Sequence, residues 1–376
     1  MTDRPDITTP PGRGAECPGG GATSPTGVRN GKPLIGITMG DPAGIGAEVI
    51  VRALGDPELR SQARFVIYGL EEVMANAADD VGIRPFWFPV GPSEVPDVDT
   101  GVVLVGFEEF DRLDRTPPRP TAEGGRASLA FVHEAVGAAK SGMIDAIVTG
   151  PIHKVAWKQA GCRFPGHTEL LADACKTKRV TMMFVADGLR VALASTHVAL
   201  FDLRNSFTIG LVFQPIDLLH AALTEWFGIE HPRIAVAGLN PHAGEDGRFG
   251  DEETRVIEPA MVMAGAVGID VHGPFPADTL FTPARRSRYD GIVAMYHDQG
   301  LIPVKMLAFE SAVNVTLGLP IIRTSVDHGT AHDIAGTGQA DAGSMSEAIR
   351  LACRFARNAA SPIWKSRDVA SIPSTG

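Results

Sequence analysis

Residues 290–305, DGIVAMYHDQGLIPVK, set an imidazole, a carboxylate and an amide side by side. His297, Asp298 and Gln299 come directly after an apolar run, residues 292–296, that reads as a buried strand bounded by Gly291. In open α/β sheets, ligands bind just beyond the carboxyl ends of strands. Two further segments repeat the arrangement. RVALAS, residues 190–195, runs into Thr196 and His197, and RIAVAGL, residues 233–239, runs into Asn240, Pro241 and His242. Neutral imidazole is the commonest protein ligand for zinc and similar divalent ions, and three such ligands with an open position describe a catalytic metal site. The alternative is three unrelated loop histidines.

Other segments carry weaker signals. The strand expected over residues 34–39 runs into a Gly-rich turn, Gly40 to Gly46, whose amides could cradle an anion. That turn is neither GxGxxG nor a Walker A sequence, and a tight turn needs small residues anyway. In FPGHTELL, Thr168 can cap the following helix, and His167 and Thr168 then sit at its anion-favouring start. Asp278 lies in an expected two-proline loop, residues 273–281, where a lone Asp is usually a solvated turn residue. Arg285, Arg286 and Arg288 read as wet surface, and His133, His220 and His231 as helix residues without a role.

The elements that must position these side chains alternate between strand and helix, which defines an α/β class. Strands are expected at residues 64–68, 101–105, 145–149 and 320–324, with helices at 122–141, 215–227, 251–264 and 344–357. Residues 180–185 and 190–195 form a hairpin across Asp187 and Gly188. A proline-rich connection between residues 85 and 96 reads as surface loop. The 376 residues suffice for roughly two domains. A net charge of −10 argues against nucleic-acid and membrane-surface partners, so an anionic substrate needs a local basic pocket. The four cysteines form no CxxC pair, as expected of a reduced, cytoplasmic protein. No apolar run approaches the ~20 residues of a membrane span. Residues 1–31, rich in Pro, Gly, Ser and Thr, are expected to be a disordered tail.

Eight motifs in order, MGDPAGIGAE, VTGPIHK, FPGHTELLAD, ASTHVAL, LNPHAGEDG, GPFPADTLF, YHDQGLIPVK and IIRTSVDHGTAHDIAGTG, resemble the 4-hydroxythreonine-4-phosphate dehydrogenase (pyridoxal phosphate biosynthesis) family over residues 33–357. The resemblance implies a two-domain fold like the isocitrate and isopropylmalate dehydrogenases, with a discontinuous first domain. Residues 32–163 and 313–376 would form that cofactor-side domain, and residues 164–312 a second domain on the metal and dimer side. It implies a homodimer with shared active sites and an anionic small-molecule substrate.

The family's metal ligands fall on His197, His242 and His297, for a divalent ion such as zinc, magnesium, manganese or cobalt. Its substrate contacts fall on His167, Thr168, Lys305, Asn314 and Arg323. HGTAHDIAG is similar to the adenosine-binding loop of the related dehydrogenases, which implies NAD or NADP at His328, Gly329, Thr330, Asp333 and Ile334. The implied reaction is oxidation of a 3-hydroxy carboxylate followed by decarboxylation, with Asp278, Asp298 and Lys305 as candidate bases. Pro165 stands where the vitamin B6 enzymes typically carry a small hydroxyl residue. There the chain is more similar to a second branch, which includes threonate and erythronate 4-phosphate dehydrogenases and terephthalate dihydrodiol dehydrogenases. A non-redox metal-dependent lyase or hydrolase, or a non-catalytic binding protein, is the rival expectation.

Overall fold

A computed structural model of the chain describes residues 31–97, 101–110 and 118–359. The expected tail therefore lies outside the described residues except for Gly31, as do residues 360–376 of the expected first domain. Within the described residues twelve strands make one continuous mixed sheet. They are β1 (Leu34–Thr38), β2 (Arg64–Tyr68), β3 (Trp87–Val90), β4 (Val102–Val105), β5 (Ala146–Thr149), β6 (Thr181–Ala186), β7 (Leu189–Leu193), β8 (Arg233–Ala237), β9 (Asp270–Phe275), β10 (Gly291–Ala294), β11 (Val313–Leu317) and β12 (Ile322–Val326). Their order across the sheet is β3-β4-β2-β1-β5-β12-β11-β6-β7-β10-β8-β9.

Continuous apolar strands such as LIGIT in β1 and GIVA in β10 are buried along their whole length. Parallel strands flanked by helices require this of both faces. Helices Ala122–Lys140 and Gly343–Ala359 pack on β5. Each large apolar side chain so buried contributes roughly 1.5–3 kcal/mol. β11 runs antiparallel to both of its neighbours, β12 and β6. The chain leaves one half of the sheet after β5 and returns to it only at β11 and β12.

The hairpin β6–β7 turns through Asp187 and Gly188, both at positive φ, as a two-residue connection requires. Several expected loops are ordered elements instead. The proline-rich connection contains β3 and a 3-10 turn, Pro92–Asp97. The two-proline segment contains the end of β9 and a short helix, Ala277–Leu280. Strands β3 and β9 carry Pro89 and Pro274 and stand at the two margins of the sheet, where a missing N–H removes no ladder bond. His297 to Lys305 is part of a helix, His297–Ala308, rather than a polar loop. Strand β11, which carries Asn314, is absent from the strands expected above. Among the described residues no single helix is long and apolar enough to cross a membrane, and Cys162, Cys175 and Cys353 are free.

Candidate active site

A cleft lies over the middle of the sheet. Side chains alternate along a strand, so Arg323 and Ser325 of β12 share one face, as do Met182 and Phe184 of β6, and all four line the cleft. Two helices close it: His167–Ala174 through His167 and Thr168, and His297–Ala308 through His297 and Lys305. Lys154, Glu169, His197, Asn314, Asp327, His328 and Gly329 complete the polar lining.

Arg323 sets the electrostatics. Its side chain is 2% exposed. Nε and Nη2 donate to Thr149 Oγ1 at 3.1 and 2.7 Å, and Nη1 donates to Thr316 Oγ1 at 3.0 Å. These partners are neutral hydroxyls. Burial lowers the guanidinium pKa from 12.5 to about 9, opposed by the charge of Glu169. A buried cation held only by hydroxyls favours an anion arriving from the cleft. His167 packs edge-on against Trp157, and its buried Nε2 has no protein partner. Burial, with Arg323 nearby, pushes its pKa well down, so it is neutral and can exchange a hydrogen bond with a ligand.

The three strand-end histidines emerge from β7, β10 and β8, which are consecutive neighbours in the sheet. The rings of His197 and His297 lie 5.9 Å apart, centroid to centroid. Burial lowers the His197 pKa, with Lys154 adding to the effect, which keeps a lone pair free. His297 Nδ1 lies 2.7 Å from Asp298 Oδ1, an arrangement that leaves Nε2 for a ligand. His242 is turned toward Phe249, with ring centroids 6.0 Å apart, and does not line the cleft. Among the described residues no three His, Cys, Asp or Glu side chains form a ready cage for an ion. The donor chemistry nonetheless fits a divalent ion: two facing imidazoles, a carboxylate orienting one of them, and a third imidazole at the next strand end.

Lys305 Nζ lies 3.3 Å from Asp327 Oδ2. Burial raises the Asp327 pKa, and Lys305 partly opposes that. The loop after β12 is tied to the Gly-rich turn: Ile45 N–H donates to Thr330 O at 3.0 Å and Gly336 N–H to Glu48 Oε1 at 2.6 Å. A Cβ on Gly44 would meet Thr330 at 2.9 Å. Three amides of that turn are spent within the fold. Asp41 N–H donates to Pro151 O, Ala43 N–H to Asp41 Oδ1 and Gly44 N–H to Asp41 O. The small residues serve close packing: a Cβ on Gly40 would meet Pro151 O at 2.2 Å and one on Gly46 Met39 O at 2.0 Å.

The cleft thus gathers His167, Thr168, His197, His297, Lys305, Asn314, Arg323, His328 and Gly329. His242, Asp278, Asp298, Thr330, Asp333 and Ile334 are outside its lining. Thr330 is buried against the Gly-rich turn, and Asp333 is exposed. Sequence reasoning passed over Asp327, Lys154, Glu169 and Thr149. Asp327 comes immediately after β12, so the strand-end criterion that selected His297 would have found it. Thr149 ends an apolar strand and gave no signal.

Among known proteins, the model of the family "Pyridoxal phosphate biosynthetic protein PdxA" matches residues 61–352. A Desulforapulum autotrophicum protein named 4-hydroxythreonine-4-phosphate dehydrogenase is 46% identical over 329 residues, 86% of this chain and 96% of that protein. A Symbiobacterium thermophilum protein, provisionally named a D-threonate 4-phosphate dehydrogenase, is 43% identical over 326 residues, 86% of this chain and 97% of that one. The crystal structure of a 4-hydroxythreonine-4-phosphate dehydrogenase from Klebsiella pneumoniae superposes with a TM-score of 0.79 at 37% identity, covering 87% of this chain and 98% of that chain.

Proposed function

The chain belongs to the PdxA family of pyridoxal phosphate biosynthetic proteins, and on that premise we propose that it oxidises a 4-phosphorylated 3-hydroxy carboxylate with NAD or NADP and decarboxylates the product. The observation that carries this reading is Arg323: a buried guanidinium with hydroxyl partners only, beside Lys305 and two facing imidazoles. Such a centre suits a substrate with an anionic end and an alcohol. The two relatives described above are named for phosphorylated hydroxy acids, which supports phosphate as that anion.

In the proposed mechanism Arg323, Thr168 and His167 hold the anionic end, and Asn314 orients the chain of the substrate. His197, His242 and His297 would hold a divalent ion, which would supply Lewis acidity toward the oxygen atoms of the substrate. NAD or NADP beside His328 to Ile334 would accept the hydride. Asp298 holds the His297 ring through Nδ1 rather than acting on substrate. Lys305 is the candidate base that lines the cleft, with Asp327 as its proton partner. The architecture of the isocitrate and isopropylmalate dehydrogenases belongs to the same proposal. So does a homodimer, through exposed apolar side chains that follow the two cleft histidines in sequence: Leu200 and Phe201 after His197, and Ile302, Met306 and Phe309 after His297.

The test is a spectrophotometric screen at 340 nm. It compares 4-hydroxythreonine 4-phosphate, D-threonate and D-erythronate 4-phosphates and a terephthalate cis-dihydrodiol, each with both nicotinamides. Reduction with a phosphorylated acid is expected, together with loss of both bound metal and turnover in His242→Ala. No reduction with any substrate would favour a non-redox lyase or hydrolase.

A further inference from the structure

His242 stands in a backbone that L-residues avoid. His242, Ala243, Glu245 and Asp246 have φ of 54°, 53°, 42° and 55°, and Gly244 and Gly247 have 82° and 85°. Six successive residues are thus left-handed, four of them carrying a Cβ. Such a run persists only where its surroundings over-determine it.

One buried side chain ties down the chain at the entry to this run. Glu253 is 3% exposed and sits at the start of a π-helical turn, Glu253–Ile257. Its Oε1 accepts from Leu239 N–H at 2.8 Å and from Asn240 N–H at 2.7 Å. Its Oε2 accepts from Asn240 Nδ2 at 2.9 Å. Asn240 Nδ2 also donates to Glu252 Oε2 at 2.7 Å. The carboxylate fills the space that side chains at two neighbouring glycines would need. A Cβ on Gly244 would lie 2.8 Å from Oε2, and one on Gly238 3.2 Å from Oε1. Nothing about Glu253 suits catalysis, because it is buried away from the cleft lining. π-turns commonly occur at functional sites, and here the turn places two successive carboxylates, Glu252 and Glu253, on one asparagine.

We infer that Glu253 is the positioning residue of His242: its buried carboxylate clamps the end of β8 and holds the left-handed run that carries the imidazole. That His242 is presented to a metal rests on the function proposed above; the clamp itself does not. Glu253→Gln keeps the shape but places an amide nitrogen, which cannot accept, where one carboxylate oxygen accepts. Asn240→Ala removes the side-chain donor without leaving a buried charge bare.

The experiment is amide hydrogen exchange across residues 239–247 in wild type, Glu253→Gln and Asn240→Ala, with Co²⁺ titrated into each metal-free protein. About tenfold faster exchange confined to this segment is expected in Glu253→Gln, with a smaller rise in Asn240→Ala. Co²⁺ affinity should fall about tenfold in Glu253→Gln, with turnover recovered at saturating Co²⁺, as for partners that orient a ligand from behind. Should Glu253→Gln fail to fold, Asn240→Ala alone decides. Exchange at 239–247 equal to wild type in the folded variants would overturn the clamp. Faster exchange with unchanged Co²⁺ affinity would uphold the clamp and overturn His242 as a ligand.

Discussion

Replacing Arg323 by Met should stabilise the free protein while disabling it. The guanidinium is 2% exposed and accepted only by the hydroxyls of Thr149 and Thr316. Lowering its pKa from 12.5 to about 9 corresponds to roughly 5 kcal/mol of penalty on the charged form, at 1.36 kcal/mol per unit. That penalty acts across the whole working pH range, because the guanidinium stays protonated throughout it. Two hydroxyls would lose their donors in the variant, so the net gain is smaller, about 1–3 kcal/mol. It should raise the thermal midpoint by about 2 °C or more. The substrate would lose two charge-assisted hydrogen bonds, roughly 3–5 kcal/mol, or between a hundredfold and several thousandfold in kcat/KM. Scanning calorimetry and steady-state kinetics on the same preparation measure both. A variant that melts lower and keeps its kcat/KM would refute the reasoning, because Arg323 would then be a structural cation.

Three further outcomes are expected. The folded His167 has a pKa well below 6.5, so between that value and 6.5 the unfolded chain binds the extra proton. Stability should therefore fall as pH drops below 6.5, approaching about 1.4 kcal/mol per pH unit from this group, and His167→Gln should flatten melting curves recorded from pH 7.5 to 5.5. Asp327→Asn should lower kcat about a hundredfold with little change in KM and reshape the pH–rate profile, since the variant leaves Lys305 without its proton partner. Phe201 and Met306, 90% and 82% exposed, should together weaken self-association at least about a hundredfold when both become Lys, seen by sedimentation as monomer.

The strand-end histidines were legible because buried parallel strands read as short apolar runs, and the residue just past the carboxyl end of such a run faces the ligand side of the sheet. His197, His242 and His297 follow β7, β8 and β10, three neighbouring strands. The orientation of His242 was not legible, since neither the left-handed run nor the burial of Glu253 against its entry leaves a mark in the local sequence pattern. Lys305 was found through the family resemblance; Asp327 stands at a strand end that the same criterion picks out, and only its pairing with Lys305 required the packed structure. The margins of the sheet were hidden for a different reason. Pro89 and Pro274 mark loops in a local reading, and only the strand order reveals that both occupy edges. Asn314 interrupts the apolar pattern of β11, a strand fixed by antiparallel pairing on both sides.

Those two edge prolines bear on how copies of the chain meet. A sheet that ends in an imino acid on either side offers an incomplete row of donors to an incoming strand, so extending it from one molecule into the next is disfavoured. The pairing proposed above is thereby left to helix faces, whose contacts can stop at a closed pair rather than grow as a ribbon.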